Sequence, residues 1–191
     1  MERVDAPSLR ELAALAVRDP HTRDVLLARV RDMALRYSRV RLGRFGAEDT
    51  AQDVAQEVCM AVVTALATYE ERGLPFEAFV YTITSRKLAD VQRAAMRGPA
   101  PVAEVPDGPD EGPSPESLAV MRDDAATAMT LMQRLPAQQR EILTLRVAVG
   151  MSTDETAAAL GMSAGAVRVA QHRALTKLRA MLAQAGAGDV A

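Results

Sequence analysis

The chain has 191 residues, of which 49% are hydrophobic and only 3% aromatic, and its formal net charge is −2. This length suits one domain or two small ones. There is no run of about 18 apolar residues and no signal-peptide pattern, so we expect no membrane insertion and a cytoplasmic location. The single cysteine, Cys59, cannot form an internal disulfide, and its apolar surroundings predict a buried thiol in a reducing compartment.

The residue pattern predicts an all-α fold. Ala, Leu, Val, Met and Arg are abundant, and no run alternates β-branched with polar residues as a half-buried strand does. A Pro at the first position of the second helix fits a helix start, because that position needs no backbone donor. The first half of the chain contains four predicted helices, over residues 8–17, 20–42, 48–69 and 76–97. The second of them offers these residues for a core: Val25, Leu26, Val30, Met33, Leu35 and Tyr37.

The third predicted helix carries an acidic stripe at helical spacing. Its members are Asp49, Asp53, Gln56 and Glu57. The stripe fits a solvated face, a protein-docking face or a metal site. A helical carboxylate cage uses Glu-x-x-His motifs from facing helices, and neither His21 nor His172 is placed to complete one. We therefore expect no metal and no cofactor.

The fourth predicted helix combines aromatic and basic residues. Phe79 and Tyr81 lie near its start, and Arg86, Lys87 and Arg93 follow. A basic helix with aromatics, entered through the loop at residues 70–75, suits single-stranded or melted nucleic acid, where stacking and phosphate pairing act together. The alternative is that the aromatics, including Phe76, are simply part of the core.

Residues 98–115 form a predicted linker. Six of the chain's prolines lie in this stretch together with acidic residues, and it contains no basic residue. Such a segment is extended and cannot build a core. The prediction is therefore two small helical domains, over residues 1–97 and 116–185, with a tail at 186–191. In the second domain we expect one helix ending at Leu135 and another from Pro136 to near Gly150. The predicted apolar side of the latter consists of Ile142, Leu143, Leu145 and Val147.

The stretch from Ser152 to Leu182 has the pattern of two helices joined by a tight turn. Ser152 and Glu155 have capping-box spacing, Gly161 is a helix stop, and Ser163 is a suitable N-cap. The second helix has an apolar face and an opposite face that is basic or neutral, and no acidic residue occurs from 156 to 188. This is typical of a DNA-binding helix-turn-helix. An ordinary helical hairpin with a solvated basic face is the alternative.

Two separate segments then resemble one known family. LPAQQREILTLRVAVGMSTDETAAALGMSAGAVRVAQHRALTKLR is similar to region 4 of the sigma-70-family sigma factors, which binds the promoter −35 element. EDTAQDVAQEVCMAVVTAL followed by FEAFVYTITSRKLADVQRA is similar to their region 2. With only these regions and a short linker, the chain resembles the extracytoplasmic-function (ECF) group. QEVC, ETAAALG and GAVRVAQHRAL resemble its actinobacterial SigD-like branch.

The resemblance implies a sigma factor and not an enzyme. Such a protein binds RNA polymerase core, recognises −35 and −10 promoter elements and assists promoter opening. The implied partners are the β′ clamp helices and β flap of the core and promoter DNA. Sigma factors of this group are often held inactive by an anti-sigma factor, which is a further implied partner. The family's D-x-x-Q-E pattern, which docks on the clamp helices, is matched by Asp53, Gln56 and Glu57.

The resemblance also implies two sets of DNA-binding residues. The −35 set is Ser163, Arg168, Val169, Gln171, His172, Arg173 and Lys177. The −10 set is Glu71, Arg72, Phe79, Tyr81, Ser85, Arg86, Lys87, Asp90 and Arg93.

The chain departs from the common family pattern at several of these places. Val63 and Phe79 stand where Trp is usual, Ser85-Arg86 replaces an Arg-Asn pair, and Val169 replaces a Ser. The promoter sequence that the chain prefers therefore cannot be copied from better-known members.

Three other functions fit parts of the pattern. A stand-alone helix-turn-helix regulator would bind duplex DNA without polymerase and would have no use for the Asp53–Glu57 stripe. A helical adaptor that binds only protein would leave Arg168 and Arg173 as solvated charges. A helical carboxylate metalloenzyme would need metal ligands that the histidines do not supply.

Overall fold

The computed structural model describes residues 7–43, 47–69, 73–97 and 127–188, and every regular element in these ranges is helical. The all-α prediction is confirmed. The linker at 98–115, the start of the second domain and the loop residues Glu71 and Arg72 lie outside the described residues. The elements are α1 (Leu9–Ala16), α2 (Pro20–Leu42), α3 (Ala47–Leu66), α4 (Phe76–Arg97), α5 (127–133), α6 (Ala137–Leu143), a π-helical turn (Thr144–Val149), α7 (Thr153–Leu160) and α8 (Ala164–Gly188).

The first two helices begin at side-chain caps. Ser8 and Glu11 form a capping box in which the Ser8 N–H donates to Glu11 Oε2 at 2.7 Å and the Glu11 N–H donates to Ser8 Oγ at 3.2 Å. Asp19 accepts from the Thr22 N–H at 2.9 Å, with Pro20 at the first helical position. These bonds satisfy backbone donors that have no partner inside a helix, so the boundaries follow directly from the local sequence.

Helices α1 to α4 enclose an apolar core. Its fully buried side chains include Leu26, Val30, Val54, Val58, Val62, Phe76, Val80 and Leu88. The pattern also placed Val25 among the core positions of α2, and this is wrong because Val25 is 39% exposed. Cys59 is half-buried on α3, and its Sγ lies 3.7 Å from the Leu27 carbonyl oxygen. Burial raises the pKa of this thiol.

The segment after Pro136 differs from the single helix that the sequence predicts. It begins as α6 and continues as the π-helical turn, which ends at Gly150 in the left-handed conformation (φ 88°). A π-helix has more residues per turn than an α-helix, so positions beyond Leu143 are rotated relative to α-helical spacing. Leu145 and Val149 consequently point into the protein, whereas Val147, which the pattern placed on the apolar side, is 68% exposed.

The two domains pack against each other. Leu145, Val149 and Met151 of the second domain belong to the same buried cluster as the side chains of α1 to α4. The π-helical turn contacts α2, and α7 contacts α4. The sequence predicts two domains but not this shared core.

No described helix is long and apolar enough to span a bilayer. In the same ranges, no group of three or more His, Cys, Asp or Glu side chains is placed to hold a metal ion.

Candidate nucleic-acid interface

The helix-turn-helix is built from the local signals in its sequence. Ser152 and Glu155 form a reciprocal capping box at α7, with the Ser152 N–H 2.7 Å from Glu155 Oε2. Gly161 takes the left-handed conformation (φ 64°) that ends α7 and turns the chain. The Ala166 N–H donates to Ser163 Oγ at 3.2 Å, so Ser163 caps α8. The predicted pair of helices is confirmed, and α8 is longer than expected.

Apolar contacts fix the orientation of α8. Val167 packs with Ile142 and Ala157, and Ala174 packs with Leu135 and Leu143. The opposite face of the helix is therefore turned to solvent. Five residues of the predicted −35 set are exposed on this face: Arg168, Val169, His172, Arg173 and Lys177. The structure brings these five together as one surface free of acidic residues.

Gln171 differs from the rest of the −35 set. It is half-buried, and its Oε1 accepts a hydrogen bond from Arg146 Nε at 3.2 Å. Arg146, in the π-helical turn, also donates to the Met151 carbonyl oxygen. Sequence analysis did not single out Arg146, because nothing in the local pattern shows that it reaches a residue of the recognition helix. Arg146 holds Gln171 at the edge of the −35 surface.

The predicted −10 residues divide between two sides of α4. Phe79, Arg86, Asp90 and Arg93 follow one another at helical spacing, and Asp90 pairs with Arg93. Arg86, Asp90 and Arg93 are exposed. Tyr81 lies on the opposite side with Ser85, whose Oγ donates to the Thr82 carbonyl oxygen at 3.2 Å. The first side presents Arg86 and Arg93 to solvent, with the carboxylate of Asp90 between them.

An open cavity of about 450 Å³ lies where the end of α3 meets α4. It is lined by Ala65, Thr68, Tyr69, Leu74, Ala78, Phe79, Thr82 and Ala158. The Tyr69 and Phe79 ring centroids are 5.2 Å apart, and Phe76 lies beneath them, fully buried. Phe76 is thus a core residue, as the alternative proposed. Tyr69 was missed as a site residue, although an aromatic directly before the loop at 70–75 was a usable signal.

The acidic stripe on α3 is accessible. Asp53, Gln56 and Glu57 are all exposed, at spacing that places them on one side of the helix. Glu57 Oε2 is 2.8 Å from Lys87 Nζ on α4. A residue predicted to dock on polymerase is therefore ion-paired with a residue predicted to bind DNA.

Two known family models match the segments that contain these surfaces. Residues 25–98 match the family described as "Sigma-70 region 2", and residues 126–178 match "Sigma-70, region 4". A region 2 helical bundle followed by a region 4 helix-turn-helix defines a promoter-recognition factor for RNA polymerase of the sigma-70 class.

Similarity to individual relatives shows which group within the sigma-70 class the chain belongs to. The chain is 53% identical to "ECF RNA polymerase sigma factor ShbA" of Streptomyces griseus over 169 residues, which cover 83% of this chain and 86% of the relative. It is 44% identical to "ECF RNA polymerase sigma factor SigD" of Mycobacterium tuberculosis over 97% of this chain and 86% of the relative. The chain belongs to the ECF sigma factors of the sigma-70 family, and it recognises −35 and −10 promoter elements for transcription initiation.

Solved structures agree with the fold. CnrH, solved in complex with the cytosolic domain of CnrY, superposes with a TM-score of 0.60 at 26% identity, covering 92% of this chain and 97% of CnrH. The sigma factor RpoE of Bartonella quintana, solved with the anti-sigma factor NepR, gives a TM-score of 0.55 at 21% identity, with 85% and 95% coverage.

Proposed function

We propose that the two domains divide the work of initiation, with region 2 over residues 1–97 and region 4 over 116–185. In region 2, Asp53, Gln56 and Glu57 dock on the β′ clamp helices of core polymerase. This assignment is supported by their exposure on one side of α3 and by their match to the family's D-x-x-Q-E pattern. Under this assignment the acidic stripe is a protein-docking face and not merely a solvated one.

Promoter opening is assigned to α4 and the cavity beside it. An unstacked −10 base enters the cavity and stacks on Tyr69 and Phe79, while Arg86, Lys87 and Arg93 pair with nearby phosphates. Base–aromatic stacking contributes about 1–3 kcal/mol per base, which offsets the cost of unpairing. Glu71 and Arg72, which lie outside the described residues, belong to the same proposed site, as do Tyr81, Ser85 and Asp90.

Duplex recognition is assigned to α8. The observation that carries it is the exposed, acid-free face on which Arg168, Val169, His172 and Arg173 lie together. An Arg can bind guanine through two hydrogen bonds, and the Val169 side chain can contact a thymine methyl group. Lys177 is placed for phosphate contact, which positions the helix without reading sequence.

An apolar groove lined mainly by region 4, with Val40 of α2 at its edge, is assigned to the β flap of the polymerase. It is lined by Val40, Ala128, Met129, Leu131, Met132, Leu143, Val147, Ala148, Leu175, Leu178 and Leu182. Val147 is 68% exposed and Leu182 is 48% exposed there. Monomeric soluble proteins rarely expose a large contiguous apolar patch, and such patches commonly mark protein-binding sites.

The test is run-off transcription with purified core polymerase on a pool of randomised promoter DNA. We expect selective transcripts whose templates share spaced −35 and −10 motifs. The combined change Asp53→Asn, Gln56→Ala and Glu57→Gln should abolish core binding, whereas Asp24→Asn, on an exposed position of α2, should not. A protein that retains duplex DNA but never binds core would be a stand-alone regulator and would overturn the proposal.

The remaining functional assignments follow from this role. The protein acts in the cytoplasm, where its polymerase is found, and it contributes binding and not catalysis. An inhibitory protein partner is also proposed, since CnrH was solved with the cytosolic domain of CnrY bound and RpoE of Bartonella quintana was solved with an anti-sigma factor, NepR. A partner purified with the full chain should suppress run-off transcription, and a partner that binds without suppressing it would contradict this role.

A further inference from the structure

Arg146 of the π-helical turn is held by two hydrogen bonds that its guanidinium makes at once. Its Nη1 donates to the backbone carbonyl oxygen of Met151, which is 2% exposed and lies just before α7. Its Nε donates to Gln171 Oε1 on α8 at 3.2 Å. Because the guanidinium is a rigid planar fork, fixing one of these bonds also fixes the direction of the other. Arg146 therefore connects the backbone ahead of α7 to a side chain of the recognition helix.

This contact determines which end of the Gln171 amide is left to bind something else. An amide side chain has a carbonyl oxygen that accepts and an NH₂ group that donates, and a flip of the side chain exchanges the two. Arg146 carries donors and no acceptor, so only Oε1 can face it. The Nε2 group then points away from Arg146, and it has no acceptor within the part of the chain that the structure describes. Gln171 is thus presented as a hydrogen-bond donor.

Gln171 lies where such a donor can meet DNA. It comes three residues after Arg168 and directly before His172, which are both exposed, and it is itself half-buried. Residues three apart are neighbours on a helix surface, so Gln171 borders the −35 surface beside Arg168. No acidic residue occurs from 156 to 188, so no carboxylate of α8 competes for Nε2.

The base edges in the major groove respond differently to a donor than to a complete amide. Gln commonly binds adenine through two bonds, in which its oxygen accepts from N6 and its nitrogen donates to N7. Gln171 could pair in that way only if Oε1 turned from Arg146 toward the base. Guanine presents two acceptors, O6 and N7, and needs only a donor, whereas cytosine presents a donor that Nε2 cannot satisfy. The bond from Arg146 therefore favours guanine.

We propose that Arg146 is a positioning residue for −35 recognition, which orients Gln171 as a donor and so makes the protein prefer guanine to adenine at the base pair that faces Gln171. Arg146 acts through Gln171 and needs no contact with the base. This role rests on the assignment of α8 to the −35 element.

Base preference measured with holoenzyme tests the role of Gln171. Each base pair of the −35 element is replaced in turn by the other three, and the affinity for each promoter duplex is measured by competition. At one guanine, Gln171→Ala should reduce the preference over adenine by about tenfold. Replacing that guanine with 7-deazaguanine, which lacks the N7 acceptor, should weaken binding of the unaltered protein and should cost Gln171→Ala nothing further.

Variants of Arg146 test the positioning. Arg146→Gln introduces a side chain that can accept as well as donate, so the Gln171 amide is free to turn round. Adenine should then improve by about tenfold relative to guanine at the same base pair. Arg146→Lys retains donors without an acceptor and should keep the preference for guanine. Arg140→Lys is the matched control, since Arg140 is a half-buried arginine of α6 that donates to the Gln133 carbonyl oxygen, and it should change no base preference.

Two results would overturn the proposal. If Gln171→Ala weakens binding to every duplex alike, its amide binds phosphate and reads no base. If Arg146→Gln lowers the Tm but leaves every base preference unchanged, Arg146 has a structural role only. Arg168→Ala is the reference for α8 as a whole. If it removes discrimination at its own base pair while Gln171→Ala removes none, α8 still reads the −35 element and only the role of Gln171 fails; if neither removes any, the assignment of α8 fails as well.

Discussion

At the scale of single residues, Glu77 is the carboxylate whose environment fits its charge least well. It lies in the first turn of α4 with only 9% of its surface exposed. Burial raises its pKa, and this outweighs the backbone N–H groups of Glu77 and Leu9 that favour the ionised form. The charged side chains lining the cavity beside it are Arg29, Asp32, Arg36 and Glu155.

The pH dependence of stability follows from that shift. Because the folded pKa is raised, the protonated form favours folding, and this contribution is lost as pH rises from about 4.5 through the folded pKa. Glu77→Gln should therefore increase the free energy of unfolding at pH 7 by about 1 kcal/mol and leave it unchanged near pH 4. Urea denaturation at both pH values checks this, and an equal effect at both would show that ionisation of Glu77 is irrelevant.

Arg168 and Lys177 should differ in what they contribute to DNA binding. Arg168→Ala should reduce discrimination at one base pair of the −35 element by about 1–3 kcal/mol. Lys177→Ala should weaken binding to all sequences alike and reduce the salt slope by about one. Titrating holoenzyme with matched and single-mismatch duplexes at several salt concentrations separates the two. If Arg168→Ala weakens every duplex equally, Arg168 contacts phosphate only.

At the scale of elements, α7 serves two surfaces at once. It is the first helix of the helix-turn-helix, and it also packs on α4 of region 2. Its start depends on the Ser152–Glu155 capping box. Weakening this short helix should therefore affect the stability of both domains.

Ser152→Ala should destabilise the protein by about 1 kcal/mol, because the Glu155 N–H loses its acceptor. For a protein of this size that corresponds to a fall in Tm of about 2–4 °C. Thermal unfolding measured by circular dichroism provides the value. Ser85→Ala, in the interior of α4, is the matched change and should have little effect, since Ala is the better helix former. Equal losses from both changes would show that the capping box adds nothing.

Helix ends were predictable wherever a capping residue or a glycine close to the end marks them. The caps at Ser8, Asp19, Ser152 and Ser163 and the stop at Gly161 all lie within a few residues of the backbone groups that they satisfy. The π-helical turn was not predictable, because its widened geometry is held by Leu145 and Val149 packing against another domain. α-Helical periodicity therefore placed Val147 on the wrong side.

At the scale of the whole molecule, the sequence predicts the two domains, and the matched families support their functions. It does not predict how the domains meet. The Tyr37 hydroxyl donates to Glu141 Oε1, 104 positions along the chain, and neither residue stands out from the local pattern. A hydrogen bond of that separation depends on how complete domains pack, and this information is not in any window of the sequence. The candidate base cavity has the same origin, since Tyr69 comes from the loop after α3, Phe79 from α4 and Ala158 from α7.

The shared core predicts cooperative unfolding. All three tyrosines, Tyr37, Tyr69 and Tyr81, lie in region 2, so tyrosine fluorescence reports on that domain while circular dichroism reports on both. In urea the two signals should change together in the unaltered protein. In Glu141→Ala they should separate into two transitions, because each domain then unfolds by itself. Separate transitions in the unaltered protein would contradict a common core.

The setting of Cys59 has a consequence for chemical reactivity. Thiols react with oxidants and electrophiles as thiolates, and burial disfavours the thiolate of this one. Its sulfur also lies against the Leu27 carbonyl oxygen. The chain's one cysteine is therefore a poor nucleophile, and thiol-directed alkylating agents should leave promoter recognition intact. We accordingly do not expect an oxidative signal to act on this sigma factor through its cysteine.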